Sequence, residues 1–345
     1  MKKLYYILCF TLLTISVNAG NPDRQGEAGA NQLLINPWAR TAGLHEMNTS
    51  CVYGAEAMFL NVAGLSRINK TQIQLGHTRY IADINLNSLG FAQKIGKGGV
   101  LGISLVAFDL GDFDYTTEDV PEGSGATFSP SFFNMGLSYS YLFENKVSVG
   151  FTAKIVNESV TNVAARAFAL DAGVQYVTGE NDNFKFGISL RNVGNKMRFV
   201  GEGLSEALPN PGPTFVYDNT YYARSAEFEL PSQLNIGASY DWLLGKTNTL
   251  TLMGNFTSNA FSRDQLGAGL ELNVRKAFGF RVAYKYELDA SPGDSEATLD
   301  NGLSAGFTFS VPVRKGSDTR ITFDYGYRQT SIFNGIHNLG LRLDL

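Results

Sequence analysis

From residue 71 to its end, the chain alternates apolar and polar positions in segment after segment. Residues 233–242 place Leu234, Ile236, Ala238, Tyr240 and Trp242 on one side and Gln233, Asn235, Gly237, Ser239 and Asp241 on the other. A strand projects successive side chains to opposite faces, so this period of two predicts a strand with one apolar and one polar face. The same split recurs over 184–191 and 278–288, and at the C-terminus Leu339, Leu341, Leu343 and Leu345 alternate with Gly340, Arg342 and Asp344. About fourteen such strands are predicted, near 71–78, 83–93, 98–109, 131–143, 146–156, 167–177, 183–193, 232–243, 248–259, 264–274, 276–288, 301–313, 319–328 and 336–345. Most reach roughly ten residues, the length a tilted strand needs to cross a bilayer.

The connections sort by length. With the first strand leaving the periplasm, the periplasmic connections are Lys94–Lys97, Glu144-Asn145, Thr178–Asp182, Leu244–Thr247, Arg275 and Arg314–Asp318, all short. The three long connections, Leu110–Pro130, Gly194–Pro231 and Asp289–Asp300, all fall at the opposite end. Short inner turns and long outer loops are the asymmetry of outer-membrane barrels. A secreted sandwich or a water-soluble barrel would bury its apolar face. Here the apolar faces carry large side chains, the polar faces carry Gly, Ser and Asn, and the strands exceed the usual five or six residues. No apolar run of about eighteen residues follows the N-terminus, and a chain that crosses lipid without helices must close its sheet on itself. The expected fold is therefore all-β, a transmembrane antiparallel β-barrel over residues 71–345.

Ahead of the barrel, Lys2 and Lys3 precede an apolar stretch from Leu4 to Ile15, with small residues at Ser16-Val17-Asn18-Ala19. Residues 1–19 read as a cleaved signal peptide. Cys9 falls inside it, leaving Cys51 as a lone thiol, read as a packed small side chain. Residues 20–70 are semi-apolar without alternation, which suggests an N-terminal plug in the barrel, or a periplasmic strap.

Composition narrows the functional classes. Charged residues are only 17%, aromatics 12%, and Gly 37 of 345, with a net charge of −4. That balance argues against a nucleic-acid partner, which would call for a basic surface. His45, His77 and His337 lack metal-ligand spacing, and Gly96-Lys97-Gly98-Gly99 is a strand turn without the phosphate-loop spacing. Acidic pairs such as Glu118-Asp119 sit in loops. No catalytic, cofactor or metal site is expected, and the chain is read as not an enzyme. The polar faces carry both signs, including Lys154, Asp171, Lys185, Arg191, Glu271, Arg281, Lys285, Glu287, Arg320, Asp324, Arg342 and Asp344. Mixed signs suggest pairing inside a filled barrel rather than an ion filter. The 194–231 loop combines Pro209, Pro211 and Pro213 with Phe215, Tyr217, Tyr221, Tyr222 and Phe228, and is the partner-binding candidate, with a self-packed lid as the alternative.

Several short runs carry a family resemblance. Leu33–Leu44, which includes Trp38, Ala39, Arg40 and Gly43, resembles the N-terminal signature of the PorV/PorQ family. Asn61-Val62-Ala63-Gly64-Leu65 resembles the Asn-Pro-Ala-Gly motif shared with FadL-type barrels, with Val62 where Pro is usual. His77–Asp83, Phe108–Asp112 and Thr116–Glu118 add to the match. The resemblance implies a FadL-like barrel of fourteen strands in the outer membrane of a member of the Bacteroidota. It also implies a role in type IX secretion, with other secretion components and the C-terminal domains of cargo as partners. A FadL-like transporter of hydrophobic small molecules is the alternative from a different class.

Overall fold

The computed structural model describes residues 22–210, 217–245, 247–288, 299–314 and 319–345. The proposed signal peptide, Phe215 and most of the 289–300 loop lie outside the described residues. Fourteen antiparallel strands form one closed barrel. They are β1 (Thr71–Arg79), β2 (Asn85–Ile95), β3 (Gly99–Asp109), β4 (Ser131–Phe143), β5 (Val147–Val160), β6 (Val163–Thr178) and β7 (Phe184–Gly194). The second half comprises β8 (Gln233–Leu244), β9 (Asn248–Asn259), β10 (Gln265–Val274), β11 (Phe278–Glu287), β12 (Asp300–Pro312), β13 (Arg320–Thr330) and β14 (Ile336–Asp344). Each strand pairs with its sequence neighbours, and the ring shuts where β1 meets β14, from Gln72 opposite Asp344 to Arg79 opposite His337. Closure leaves no unpaired edge among the fourteen strands, which is what lipid demands.

The alternation in sequence becomes an inside and an outside. Leu339 and Leu341 are 39% and 47% exposed, whereas Arg342 between Leu341 and Leu343 is 6% exposed. Phe168, Leu170, Phe280 and Leu266 project outward in the same way. In water such a surface would be unstable, since burying one large apolar side chain is worth roughly 1.5–3 kcal/mol. Lipid supplies the burial. Aromatic rings gather near the short-turn end, where Tyr141 meets Phe143 at 4.6 Å, Tyr240 meets Trp242 at 4.9 Å and Phe278 meets Phe309 at 5.3 Å. At the other rim Tyr327 lies 5.2 Å from His337. A belt of aromatic side chains such as that at the short-turn end marks an interface of a membrane-spanning barrel.

The turns at one end are tight. Glu144 and Asn145, and Arg275 and Lys276, adopt positive φ, as the type of turn that joins twisted strands requires. At the other end, residues 110–130 contain a small hairpin of Phe113–Asp114 with Thr127–Phe128, and residues 195–232 contain one of Ser205–Pro209 with Asp218–Tyr222.

The N-terminal segment adds no strand to the wall and lies against its inner face. It folds into short helical turns, Asn31–Leu34, Ala39–Ala42, Ala57–Leu60 and Val62–Arg67, and is almost wholly buried from Asn36 to Ser66. Hydrogen bonds join it to Gln72 on β1, Ser140 on β4, Gln175 on β6, Arg191 on β7, Ser239 on β8, Glu271 on β10, Ser304 on β12 and Asn338 on β14. Side-chain packing adds Ala92 on β2, Val100 on β3, Met253 on β9 and Ala283 on β11. Val62 and Ala39 lie against Gly150 on β5 and Gly326 on β13. A segment that touches the inner faces of all fourteen strands lies in the lumen.

Candidate functional site

Small residues on the inner wall make room for this segment. A Cβ on Gly187 would stand 2.6 Å from the Thr49 carbonyl, and one on Gly150 2.8 Å from the Val62 carbonyl. At Gly326 it would collide with the Ala39 carbonyl. The glycines of the polar faces therefore serve close backbone approach.

A chain of buried charges locks the segment to β10–β14. Arg40 donates from Nε to Glu271 Oε1 at 3.0 Å, from Nη2 to Glu271 Oε2 at 2.7 Å and from Nη1 to Glu56 Oε1 at 2.8 Å. Arg281 continues the chain, 3.5 Å from Glu271 and 3.1 Å from Asp324. Arg342 lies 4.0 Å from Asp324 and 3.3 Å from Asp344. Tyr53 sits between two of the cations, with Arg40 4.7 Å and Arg342 5.3 Å from its ring centroid. Such an array is stable only when each charge keeps its partners. On the opposite wall Lys154 pairs with Asp171 at 2.6 Å, and Arg191 stacks over Phe59 at 4.1 Å. Mixed lumen charges thus pair both with each other and with the N-terminal segment.

The motif residues of the segment have distinct places. Trp38 is 1% exposed, and its backbone N–H donates to Asn36 Oδ1 at 2.9 Å. Ala39, Arg40 and Gly43 form and end one helical turn against β12 and β13. Asn61 caps the Val62–Arg67 turn by accepting from the Ala63 N–H at 3.2 Å, and its Nδ2 donates to the carbonyls of Thr49 and Val174. The turn forms with Val62 at its first position, and this cap fixes its start. A Cβ on Gly64 would overlap the Val52 carbonyl. Cys51 packs beside Leu44, Met47, Met253 and Ala283, and burial pushes its thiol pKa up.

The loop aromatics divide. Tyr217, Tyr221 and Tyr222 are exposed on the 205–222 hairpin, where the Tyr222 hydroxyl donates to Glu202 at 3.0 Å. Phe228 does not join them. It packs against a cluster of Ala30, Leu33, Met197 and Leu230, with its ring 5.8 Å from that of Phe199. Apolar burial draws it to the rim, where Gly29 N–H donates to the Glu229 carbonyl at 3.0 Å. Phe228 is an anchor joining the long loop to the N-terminal segment, not part of an exposed contact surface. Among the described residues no cluster of His, Cys, Asp and Glu could hold a metal.

Residues 21–260 match the family model described as type IX secretion system protein PorV. The chain belongs to the PorV family. The match runs from the segment before the barrel through β9, and β10–β14 complete the same ring beyond it. No curated protein matches the PorV-family chain in sequence. Among solved structures, a monoaromatic hydrocarbon channel, CymD, aligns at 15% identity with a TM-score of 0.51, covering 90% of this chain and 96% of its own. The toluene transporter TodX of Pseudomonas putida aligns at 14% identity and TM-score 0.51, covering 86% and 93%. A FadL homologue of Pseudomonas aeruginosa aligns at 12% identity and TM-score 0.51, covering 89% and 98%. At these identities the likeness establishes the fold, a FadL-like barrel. PorV and FadL-like barrels are secretion and transport proteins, and this PorV-family barrel resides in the outer membrane.

Proposed function

We propose that this barrel binds secreted cargo or surface-attachment partners of the type IX secretion system, and does so from its loop end rather than by conducting solutes. The observation that carries this reading is the occupied lumen. The N-terminal segment reaches the inner face of every strand; the apolar cavity beside Trp38, Met58 and Phe59 holds about 30 Å³, space for one or two waters at most, and the larger space of about 330 Å³ at the short-turn end is lined by Arg40, Arg67, Lys276, Arg320 and Arg342 rather than by an apolar surface. A conduit for hydrophobic molecules needs a continuous apolar passage. What the loop end offers instead is a hairpin with three exposed tyrosines, a residue type enriched among the anchors of protein contacts.

A deletion strain tests the proposal. Cargo bearing type IX C-terminal domains is expected to be mislocalised or to lose surface attachment, while uptake of toluene and of fatty acids is unchanged. Replacing residues 205–222 by a short Gly-Ser turn is expected to weaken partner capture in pull-downs and leave the barrel in the membrane.

The second reading is a FadL-like transporter of hydrophobic small molecules. It draws on the fold shared with the hydrocarbon channels and on the apolar side chains of Leu33, Ile35, Trp38 and Met58 around the small cavity. Normal secretion with defective uptake of a hydrophobic compound in the deletion strain would favour it.

A further inference from the structure

At the short-turn end, between the N-terminal segment and β10–β14, lies a cavity of about 330 Å³. Five cations line it, Arg40, Arg67, Lys276, Arg320 and Arg342, against one carboxylate, Asp344. Arg40 and Arg342 already have carboxylate partners. Among the described residues the other three form no ion pair. Arg67 donates only to the amide oxygen of Gln175, at 3.3 Å. Arg320 donates to Ser310 Oγ at 2.9 Å and to the backbone carbonyls of Lys276 at 2.6 Å and Ser310 at 3.1 Å. These hydrogen-bond acceptors are neutral. Asp182 attracts Arg67 from outside the cavity lining, and within the lining the cations still outnumber the single carboxylate.

Two donors there are also unmet. Arg67 Nη2 and Arg342 Nη1 are buried with no hydrogen-bond partner, and the Arg342 side chain is only 7% exposed. A buried guanidinium N–H without an acceptor is costly, and a polyatomic anion with several oxygens relieves it best. We propose that this cavity binds a small oxyanion, a phosphate or a polycarboxylate, gripped by Arg67 from the segment and by Lys276 and Arg320 from the barrel wall. Guanidinium forks match the paired oxygens of both anions, and Lys276 adds a point charge at the mouth. Because the ligand would touch segment and wall together, its binding would hold the one against the other.

The test is calorimetric titration of the full chain in detergent with inorganic phosphate and, separately, with citrate, in chloride buffer of matched ionic strength. Saturable binding of at least one anion is expected. Affinity should fall about tenfold or more in the Arg67→Gln/Arg320→Gln double variant and several-fold in Lys276→Gln, with Lys97→Gln unchanged. Which anion binds more tightly tells phosphate chemistry from carboxylate chemistry. Heat-dependent gel mobility reports whether each variant is folded, and Lys276, exposed on its turn, keeps the test open if the double variant does not assemble. No saturable binding of either anion, or equal affinity in wild type and Lys276→Gln, would overturn the proposal.

Discussion

Arg40 grips Glu271 with two parallel hydrogen bonds, 3.0 and 2.7 Å long, between residues 231 apart in sequence. Both side chains are nearly sealed from solvent, at 7% and 4% exposure. Removing one partner leaves the other as an uncompensated buried charge, a loss of about 3–5 kcal/mol. Glu271→Gln is therefore expected to lower the temperature at which the barrel loses its compact gel mobility. Arg40→Met/Glu271→Met should be less harmful than the sum of the single changes. A double variant that loses the full sum would mean the two residues act independently.

The outward face of β14 is open to a direct check. Leu341→Arg places a charge in the lipid belt one residue from Arg342, which faces inward, and is expected to cost about 2–4 kcal/mol of folding free energy. Leu341→Phe should fold into vesicles as the wild type does. Equal folding yields for the two variants would put residue 341 somewhere other than against lipid.

Cys51 reports on the seating of the inner segment. Its thiol is packed beside Met47 and Met253, and its raised pKa leaves less of the reactive thiolate at pH 8 than an ordinary cysteine has. Wild type should label slowly with a maleimide. Gly187→Val drives a side chain into the Thr49 carbonyl and the Ser50 Cα, and labelling should quicken several-fold while the strand ladder persists. Unchanged labelling in a folded Gly187→Val barrel would contradict the tight fit of segment against wall.

Orientation follows from loop length. In a Cys51→Ser background, Thr220→Cys on the long-loop hairpin should react with an impermeant maleimide on intact cells, and Glu144→Cys at a short turn should react only after lysis. The reverse pattern would turn the barrel over.

The barrel was legible in the sequence because a strand with lipid outside and polar groups inside must alternate, and it does so with side chains of contrasting size. Strand ends blur where that contrast fades. β6 begins at Val163, ahead of the alternation expected from 167, because Ala164 and Ala165 are too small to mark a face. The charges of the lumen could be named from their faces, but not their partners. Nothing local in Arg40 points to Glu271, since that contact exists only once the ring has closed. Phe228 misled for a related reason. An aromatic residue in a polar loop reads as exposed until the tertiary contact with Met197 and Leu230 is known.

Only Asn69 and Lys70 separate the last helical turn and Ile68 from β1, the strand that meets β14 at the seam. The inner segment is thus on a very short tether. If it leaves its seat it remains at a high effective concentration beside it, and its return is a first-order event that dilution cannot slow. Any partner that unseats it must hold it out, and once that partner lets go the segment returns to its seat by itself.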